Sequence, residues 1–185
     1  RAVEPDLAVI TMIGVSHIEA LGSRENILKA KMEIIEGMKP GSPLILNGDD
    51  PLLWRLKGTR KHKTVYYGVD NPQAKFRAEK VSLHEAGASF DAVTPVGRMR
   101  AEICVPGRHQ VLNAMAAIAA GLYNGVPMAD CVAALKNFQN AGMRQNIFEH
   151  NGIGIIEDCY NAAPDSMRAA FTLLKQRRPS RIAVL

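Results

Sequence analysis

The sequence predicts an α/β fold: a mostly parallel sheet with flanking helices and an antiparallel β-hairpin section, followed by the start of a second α/β (Rossmann-like) domain. Short, continuously apolar runs at residues 6–12, 44–46 and 65–67 are typical of strands buried on both faces of a parallel sheet. A predicted helix lies between the first two runs, as a crossover connection requires. From residue 74 to 104 the pattern changes to alternation, which predicts antiparallel hairpins.

The first predicted helix begins after Ser23 and extends to about Met38. The Ser23 hydroxyl can accept a hydrogen bond from the first turn, and Glu25 suits the positive end of the helix. The stretch 39–41, Lys-Pro-Gly, ends it. A second, short helix is predicted near residues 52–56, directly after the strand at 44–46.

The second half is divided by turn and boundary signals. Turns at 85–87 and 95–97 separate the hairpin strands, and a polar stretch at 140–142 predicts a boundary between domains 1–141 and 142–185. The elements predicted after the hairpins are helices at 109–123 and 128–138, strands at 147–148 and 153–156, a helix from Pro164 to about Arg177, and a strand at 182–185.

Composition restricts the class of protein. The 185 residues are 47% hydrophobic and 22% charged, with a net charge of +5. The basic residues are scattered, and the densest run, 60–63, is interpreted as a solvated loop, so we expect no nucleic-acid partner. No apolar run has transmembrane length, and we expect no membrane association. A small anionic substrate such as a nucleotide is compatible with this positive net charge.

The cysteines indicate a reducing compartment. Cys104, Cys131 and Cys159 are far apart and odd in number, without a Cys-x-x-Cys pair, so neither a zinc site nor a disulfide framework is predicted. The chain begins with Arg1 and ends in an apolar run, so we expect it to be an internal piece of a longer protein.

Two residues of the front half are candidates for chemistry. Lys31 shares a predicted helical stripe with Ile27, Ile34 and Met38, so it either extends to water or is a buried amine with a lowered pKa, able to form a carbamate. His17 follows the first strand, where ligands gather in parallel sheets, although a loop histidine that binds its own backbone is the alternative.

The back half contributes two further groups. His109, Gln110 and Asn113 lie at the start of the Ala-rich helix, and they form either a binding surface or a solvated polar edge. Arg144 follows the predicted boundary, where an arginine can clamp phosphate or lie on the surface. Asp158 ends an apolar strand just before the helix that Pro164 opens, a place where a carboxylate can bind a sugar hydroxyl.

Four segments of the sequence, taken in order, resemble the Mur ligase family, the ATP-dependent enzymes that add amino acids to the peptidoglycan precursor. The four segments are residues 11–19, 30–34, 107–113 and 158–166. The form Tyr-Asn-x-x-Pro-Asp-Ser in the last segment, with Gly-Met-Arg at 142–144, is most similar to the branch that joins D-alanyl-D-alanine to UDP-N-acetylmuramoyl-tripeptide. The resemblance implies most of a central ATPase-type domain, without its P-loop part, and the beginning of a C-terminal domain in a cytoplasmic enzyme.

The resemblance also implies residue roles. Lys31 matches a carbamylated lysine that helps to hold Mg²⁺, and His17 matches a magnesium ligand. Arg144 matches an arginine that reaches the phosphates of ATP, and Asp158 matches the acid that holds the ribose. The remaining matches are Asn113, with Gln110 and His109 beside it, facing the adenine, and Tyr160 and Asn161 in a loop that completes the site.

Four positions depart from the family pattern: Met12 for asparagine, Gln110 for asparagine, Cys159 for serine and Ala163 for asparagine. No Gly-x-x-x-x-Gly-Lys-Ser/Thr loop occurs in these residues. Two alternatives remain open: a related ligase, such as a folylpolyglutamate synthase, and a non-catalytic nucleotide-binding module. The sequence does not indicate an oligomeric state.

Overall fold

The computed structural model describes residues 4–16, 18–58 and 63–176, and the predicted α/β fold is confirmed. One six-stranded sheet has its strands in sequence order, and a separate two-stranded sheet follows. The six strands are β1 (Ala8–Ile10), β2 (Pro43–Asn47), β3 (Lys63–Gly68), β4 (Phe76–His84), β5 (Gly87–Thr94) and β6 (Gly97–Ile103). β1 to β4 pair in parallel and β4 to β6 antiparallel, so β4 joins the hairpins directly to the parallel part of the sheet.

Helices lie in the connections from β1 to β2, from β2 to β3 and from β6 to the next strand, and one helix follows the last strand described. The described helices are α1 (Ile18–Leu21), α2 (Arg24–Met32) with a 3₁₀ helix directly after it (Glu33–Glu36), α3 (Pro51–Trp54), α4 (Arg108–Tyr123), α5 (Met128–Leu135) and α6 (Pro164–Gln176). The two-stranded sheet is an antiparallel hairpin of β7 (Asn146–His150) and β8 (Ile153–Glu157). The predicted strand at 182–185, the end of α6 at Arg177 and residues 60–62 of the basic run lie outside the described residues.

The first crossover helix is shorter than predicted. Ser23 caps it as expected, because its Oγ accepts a hydrogen bond from the Asn26 N–H at 3.1 Å. The α-helix ends at Met32 and continues as a 3₁₀ helix, whose tighter winding changes which side chains face the core. Ile34 is therefore 41% exposed, whereas Met32 and Met38 are buried. The prediction of one α-helix to Met38 was wrong for this reason. α5 likewise ends earlier than predicted, at Leu135 rather than 138.

Two hydrophobic clusters cover the two faces of the sheet, as the apolar strands predict. β2 is the clearest case, because Ile45 packs with one cluster while Leu44 and Leu46 pack with the other, and all three are fully buried. α4 covers the first face through Val111 and Met115, and α2 and α3 cover the second. Complete burial of each such side chain contributes about 1.5–3 kcal/mol.

α4 lies antiparallel to β3, and this direction determines where its two ends are. Arg108, at its first turn, forms an ion pair with Asp70, just beyond the carboxyl end of β3. Tyr123, in its last turn, lies under the ammonium of Lys63, at the amino end of β3. The amino end of α4 is therefore at the edge of the sheet where ligands of parallel sheets gather. Within the described residues, no helix is both long enough and apolar enough to cross a membrane.

Candidate functional site

The loop after β1, residues 11–16, is fixed by polar groups from the neighbouring elements. Asn47, at the end of β2, donates from Nδ2 to the carbonyl of Thr11 at 2.9 Å. The buried carboxylate of Asp50 accepts a hydrogen bond from the Ile13 N–H at 2.7 Å. Arg24 donates from Nε to the carbonyl of Ile13 at 2.9 Å. The loop is therefore held in one conformation at the carboxyl edge of the sheet.

Lys31 reaches this loop from α2. Its Nζ donates to the carbonyl of Met12 at 2.9 Å, and the side chain is exposed. Of the three residues predicted to share its stripe, Ile27 and Met38 are buried and Ile34 is exposed. The Lys31 side chain extends to water, which is the first of the two alternatives predicted for it, and is not a buried amine. His17 lies outside the described residues, so its position relative to Lys31 is not described.

The first turn of α4 carries the three polar residues that were predicted to act together. Gln110 Nε2 donates to Gln145 Oε1 at 2.9 Å and to Asn140 Oδ1 at 3.2 Å. His109 Nε2 lies 3.2 Å from the same Gln145 oxygen. Asn113 is exposed and donates from Nδ2 to Gln110 Oε1 at 3.2 Å. One helix turn thus holds an amide network with an exposed amide at its outer end.

Gln145 is the centre of this network, although no pattern in the sequence predicted a role for it. Its side chain is 7% exposed, and its backbone has a φ of 46°, which is uncommon for a residue other than glycine. Its N–H donates to Asp158 Oδ1 at 3.4 Å. One buried residue therefore links α4 to the carboxylate that follows β8. The only signal in the sequence was its place next to Arg144.

Burial controls the charge of His109. Loss of solvent around the ring lowers the pKa of His109, while the hydrogen bond to Gln145 and the nearby Asp158 carboxylate act in the opposite direction. The ring is therefore neutral at pH 7. With Nε2 protonated, it donates to Gln145 Oε1 and keeps the network in one arrangement.

Arg144 and Tyr160 meet beside this network. The guanidinium carbon of Arg144 lies 4.1 Å from the centre of the Tyr160 ring, a cation–π contact. Tyr160 donates from its backbone N–H to the carbonyl of Met143 at 3.2 Å, and its side chain is 63% exposed. Asn161 is exposed as well and has no hydrogen bond among the described residues. These three side chains are accessible and lie next to the amide network.

The start of α6 shows how the chain accommodates Ala163 in place of asparagine. The Ala163 N–H donates to Ser166 Oγ at 3.1 Å, and the Ser166 hydroxyl donates to the Ala163 carbonyl at 3.0 Å. Asp165 lies against the loop after β1, since a Cβ added at Gly14 would be 3.1 Å from its Oδ2. The loop that bears Met12 and the first turn of α6 are therefore neighbours.

The described residues include no group of three or more His, Cys, Asp or Glu side chains that could hold a metal ion. Mg²⁺ at phosphate-transfer sites is usually bound through one or two protein ligands, with phosphate and water completing the shell. The exposed amine of Lys31 can act as a metal ligand only after conversion to an anionic carbamate, because an ammonium has no lone pair for a metal.

Comparison with known proteins identifies the family. The sequence model described as the Mur ligase middle domain matches residues 1–121. This chain belongs to the Mur ligase family. It is 42% identical to the UDP-N-acetylmuramoyl-tripeptide--D-alanyl-D-alanine ligase of Bacillus subtilis (strain 168) over 94% of its length. It is 32% identical to a UDP-N-acetylmuramate--L-alanine ligase of Pelotomaculum thermopropionicum over 97% of its length.

Solved structures agree with this assignment of the family. A crystal structure of MurF from Acinetobacter baumannii has the same fold with a TM-score of 0.89 and 32% identity, over 95% of this chain and 38% of that one. The chain spans 37% and 39% of the length of the two curated relatives. The predicted Mur ligase resemblance is therefore confirmed at the level of family and fold.

Proposed function

We propose that this chain forms most of the nucleotide-binding part of an ATP-dependent ligase that joins D-alanyl-D-alanine to UDP-N-acetylmuramoyl-tripeptide. One observation carries the proposal: buried Gln145 joins His109 and Gln110 of α4 to Asp158. Amide groups and a carboxylate at the carboxyl edge of a sheet suit a nucleoside, which offers both a base and a ribose. The identity to the Bacillus subtilis ligase supports the choice of substrates.

Within this site, Asn113 is proposed to face the adenine. Its amide is exposed and is oriented by Gln110, which the buried network holds in place. Asp158 is proposed to accept hydrogen bonds from the ribose hydroxyls, because among the described residues its carboxylate accepts a single, long hydrogen bond, from the Gln145 N–H. Tyr160 and Asn161 are proposed to complete the same side of the site, next to Asp158.

Lys31 and His17 are proposed to hold Mg²⁺, with Lys31 as a carbamate. The contact from Lys31 Nζ to the Met12 carbonyl supports this, since it brings the amine to the loop that leads to His17. When bound, Mg²⁺ would neutralise charge on the phosphates. Arg144 is proposed to leave the exposed ring of Tyr160 and to bind the phosphates with its planar guanidinium.

The proposed reaction is ligation through an acyl phosphate. The carboxylate of the tripeptide attacks the γ-phosphorus of ATP and ADP leaves; the dipeptide amine then attacks the acyl carbon, loses its proton and displaces phosphate. We propose a cytoplasmic location, domains at 1–141 and 142–185, and no nucleic-acid or membrane partner. The separate hairpin of β7 and β8 supports the proposed domain boundary.

The test uses the longer protein that contains this chain. Phosphate release should require ATP, Mg²⁺, UDP-N-acetylmuramoyl-tripeptide and D-alanyl-D-alanine together. The variant Asp158→Asn should raise the KM for ATP, whereas Glu149→Gln, a change at an exposed carboxylate of β7, should not. Faster phosphate release with UDP-N-acetylmuramate and L-alanine, or with a folate and glutamate, would contradict the choice of substrates. No release with any pair, together with retained ATP binding, would favour the non-catalytic module.

A further inference from the structure

A second concave surface lies along the open side of β3 and includes Tyr123, in the last turn of α4. β4 pairs only with Tyr67 and Gly68 of β3, so residues 63–66 have no strand partner on that side within the described part of the chain. Trp54 from α3 and Tyr123 from α4 border the gap. The resulting pocket has a volume of about 260 Å³. Since α4 has 16 residues, Tyr123 in this pocket is about 22 Å along the helix from its first turn.

Three lysines from three different segments converge on this pocket. Lys57 follows α3, Lys63 begins β3 and Lys75 precedes β4, and no carboxylate lines the pocket. Among the described residues, none of the three forms an ion pair. Their positive charges are therefore not neutralised by the protein around them.

Aromatic rings and an amide position two of these ammonium groups. Lys57 Nζ lies 4.4 Å from the centre of the Trp54 ring and donates to Gln73 Oε1 at 3.1 Å. Lys63 Nζ lies 5.0 Å from the centre of the Tyr123 ring. A ring attracts a cation through its quadrupole and leaves the full charge available to a ligand. The lysines are thus held near the pocket while they remain charged.

Tyr66 adds no negative charge to the pocket. Burial raises the pKa of Tyr66 to about 12, and a hydrogen bond with Thr64 acts in the opposite direction. The Tyr66 hydroxyl donates its proton to the carbonyl of Leu53 at 3.2 Å, a hydrogen bond within the protein. The lining therefore offers cationic and neutral groups only.

Lysines also occur on strand edges because they prevent pairing with other chains. That role explains Lys63, which belongs to the open edge of β3, but Lys57 and Lys75 come from outside β3 and face the same space. We propose that this pocket binds a diphosphate group, either free or carried by a nucleotide. The placed ammonium groups of Lys57 and Lys63, with Lys75 in the lining of the same pocket, supply the positive charge that such an anion requires.

The single tryptophan of the chain makes the test direct, because Trp54 lies in the pocket. Pyrophosphate is titrated into the full chain at constant ionic strength, and tryptophan fluorescence is recorded. We expect a saturable change with a Kd below about 1 mM. Lys63→Gln and Lys75→Gln should each weaken binding by about three- to tenfold, since each removes one contact with the anion and leaves Trp54 and Lys57 in place. Lys29→Gln, at an exposed position of α2, is the matched control and should bind as the wild type does.

UDP serves as the second probe and separates the two sources of the diphosphate. Tighter binding of UDP than of pyrophosphate would indicate a nucleotide, and equal or weaker binding would indicate the free anion. The proposal is overturned if pyrophosphate gives no saturable change, if sodium chloride reproduces the change, or if both lysine variants bind like wild type. The result is independent of ligase activity, because the reporter and the variants lie outside the proposed nucleotide site.

Discussion

Lys31 is the residue on which the proposed catalytic role depends most. Its amine is exposed and contacts the Met12 carbonyl, so carbon dioxide can reach it. In the longer protein proposed to be a ligase, Lys31→Ala should lower the rate of phosphate release at least about a hundredfold, since it removes a proposed metal ligand.

The matched control for this change is Lys29→Ala, two residues earlier on the exposed surface of the same helix. It removes an equal charge and should leave the rate near that of the wild type. A Lys31→Ala enzyme with normal turnover would exclude Lys31 from the site. Equal losses in both variants would indicate damage to α2 rather than to a metal site.

His109 should make the stability of the fold depend on pH. Its pKa is lowered by burial, so below its ordinary value of 6.5 the unfolded chain takes up a proton that the folded chain resists. The free energy of unfolding should therefore fall as the pH is reduced from about 7 towards 5, and level off below the folded-state pKa. Above about pH 7 the ring is neutral in both states and contributes no slope.

Urea unfolding of the wild type and of His109→Gln at several pH values measures this effect. The variant should lose part of the slope between pH 7 and pH 5. His84→Gln, at the exposed end of β4, is the matched control and should keep the wild-type slope. An unchanged slope in His109→Gln would show that the proton is not excluded by burial at this position.

At the residue scale, the sequence predicted local groups better than long-range partners. His109, Gln110 and Asn113 share one helix turn, so their proximity follows from helix geometry alone. Gln145 could not be predicted in the same way. Its burial depends on a loop with positive φ and on contacts 13 and 35 residues away in sequence. The functional roles of these residues stay proposals.

Among the elements, the connection from β2 to α3 is joined to its neighbours by three buried hydrogen bonds, all accepted by Asp50. Asp50 Oδ1 caps α3 by accepting from the Leu52 N–H at 2.9 Å and the Leu53 N–H at 3.3 Å. Its Oδ2 accepts from the Ile13 N–H and lies 3.7 Å from a nitrogen of Arg24. One carboxylate therefore joins a helix start to the loop after β1.

Asp50→Ala should lower the free energy of unfolding by about 2–4 kcal/mol, because it leaves buried N–H groups without acceptors. Asp70→Ala removes a carboxylate of the same size whose side chain is 73% exposed and whose ion pair with Arg108 is solvated. Asp70→Ala should therefore lower the free energy of unfolding by less than about 1 kcal/mol. Chemical denaturation of both variants gives the comparison, and equal losses would contradict the importance assigned to the Asp50 cap.

The elements of this chain were predicted well where the local pattern is strong. The apolar runs became strands, the Gly-containing turns became hairpins, and Ser23 became a cap, because each depends on neighbouring residues only. The prediction failed from Glu33 onward, where the α-helix becomes a 3₁₀ helix. A search for one helical period along the sequence cannot predict such a change from α-helix to 3₁₀ helix, because the two helices have different periods.

At the scale of the whole chain, the residues of the proposed nucleotide site occur without a phosphate-binding loop motif. No Gly-x-x-x-x-Gly-Lys-Ser/Thr motif occurs in the 185 residues. We expect the purified chain alone to give no ATP-dependent ligation, because positioning of the phosphates supplies most of the rate in this chemistry. The measurement is phosphate release by the isolated chain, with the complete ligase as control. Product formation by the chain alone would contradict this prediction.

The approach of Asp165 to Gly14 has a consequence for the evolution of this molecule. A methyl group at position 14 would stand 3.0 Å from Met12 Cε and 3.1 Å from the Asp165 carboxylate, so alanine fits only after a small adjustment, and a branched side chain would force the segments apart. Selection at residue 14 and selection at residue 165 are therefore coupled. Substitutions at these two positions, 151 residues apart in sequence, should be acquired as compensating pairs.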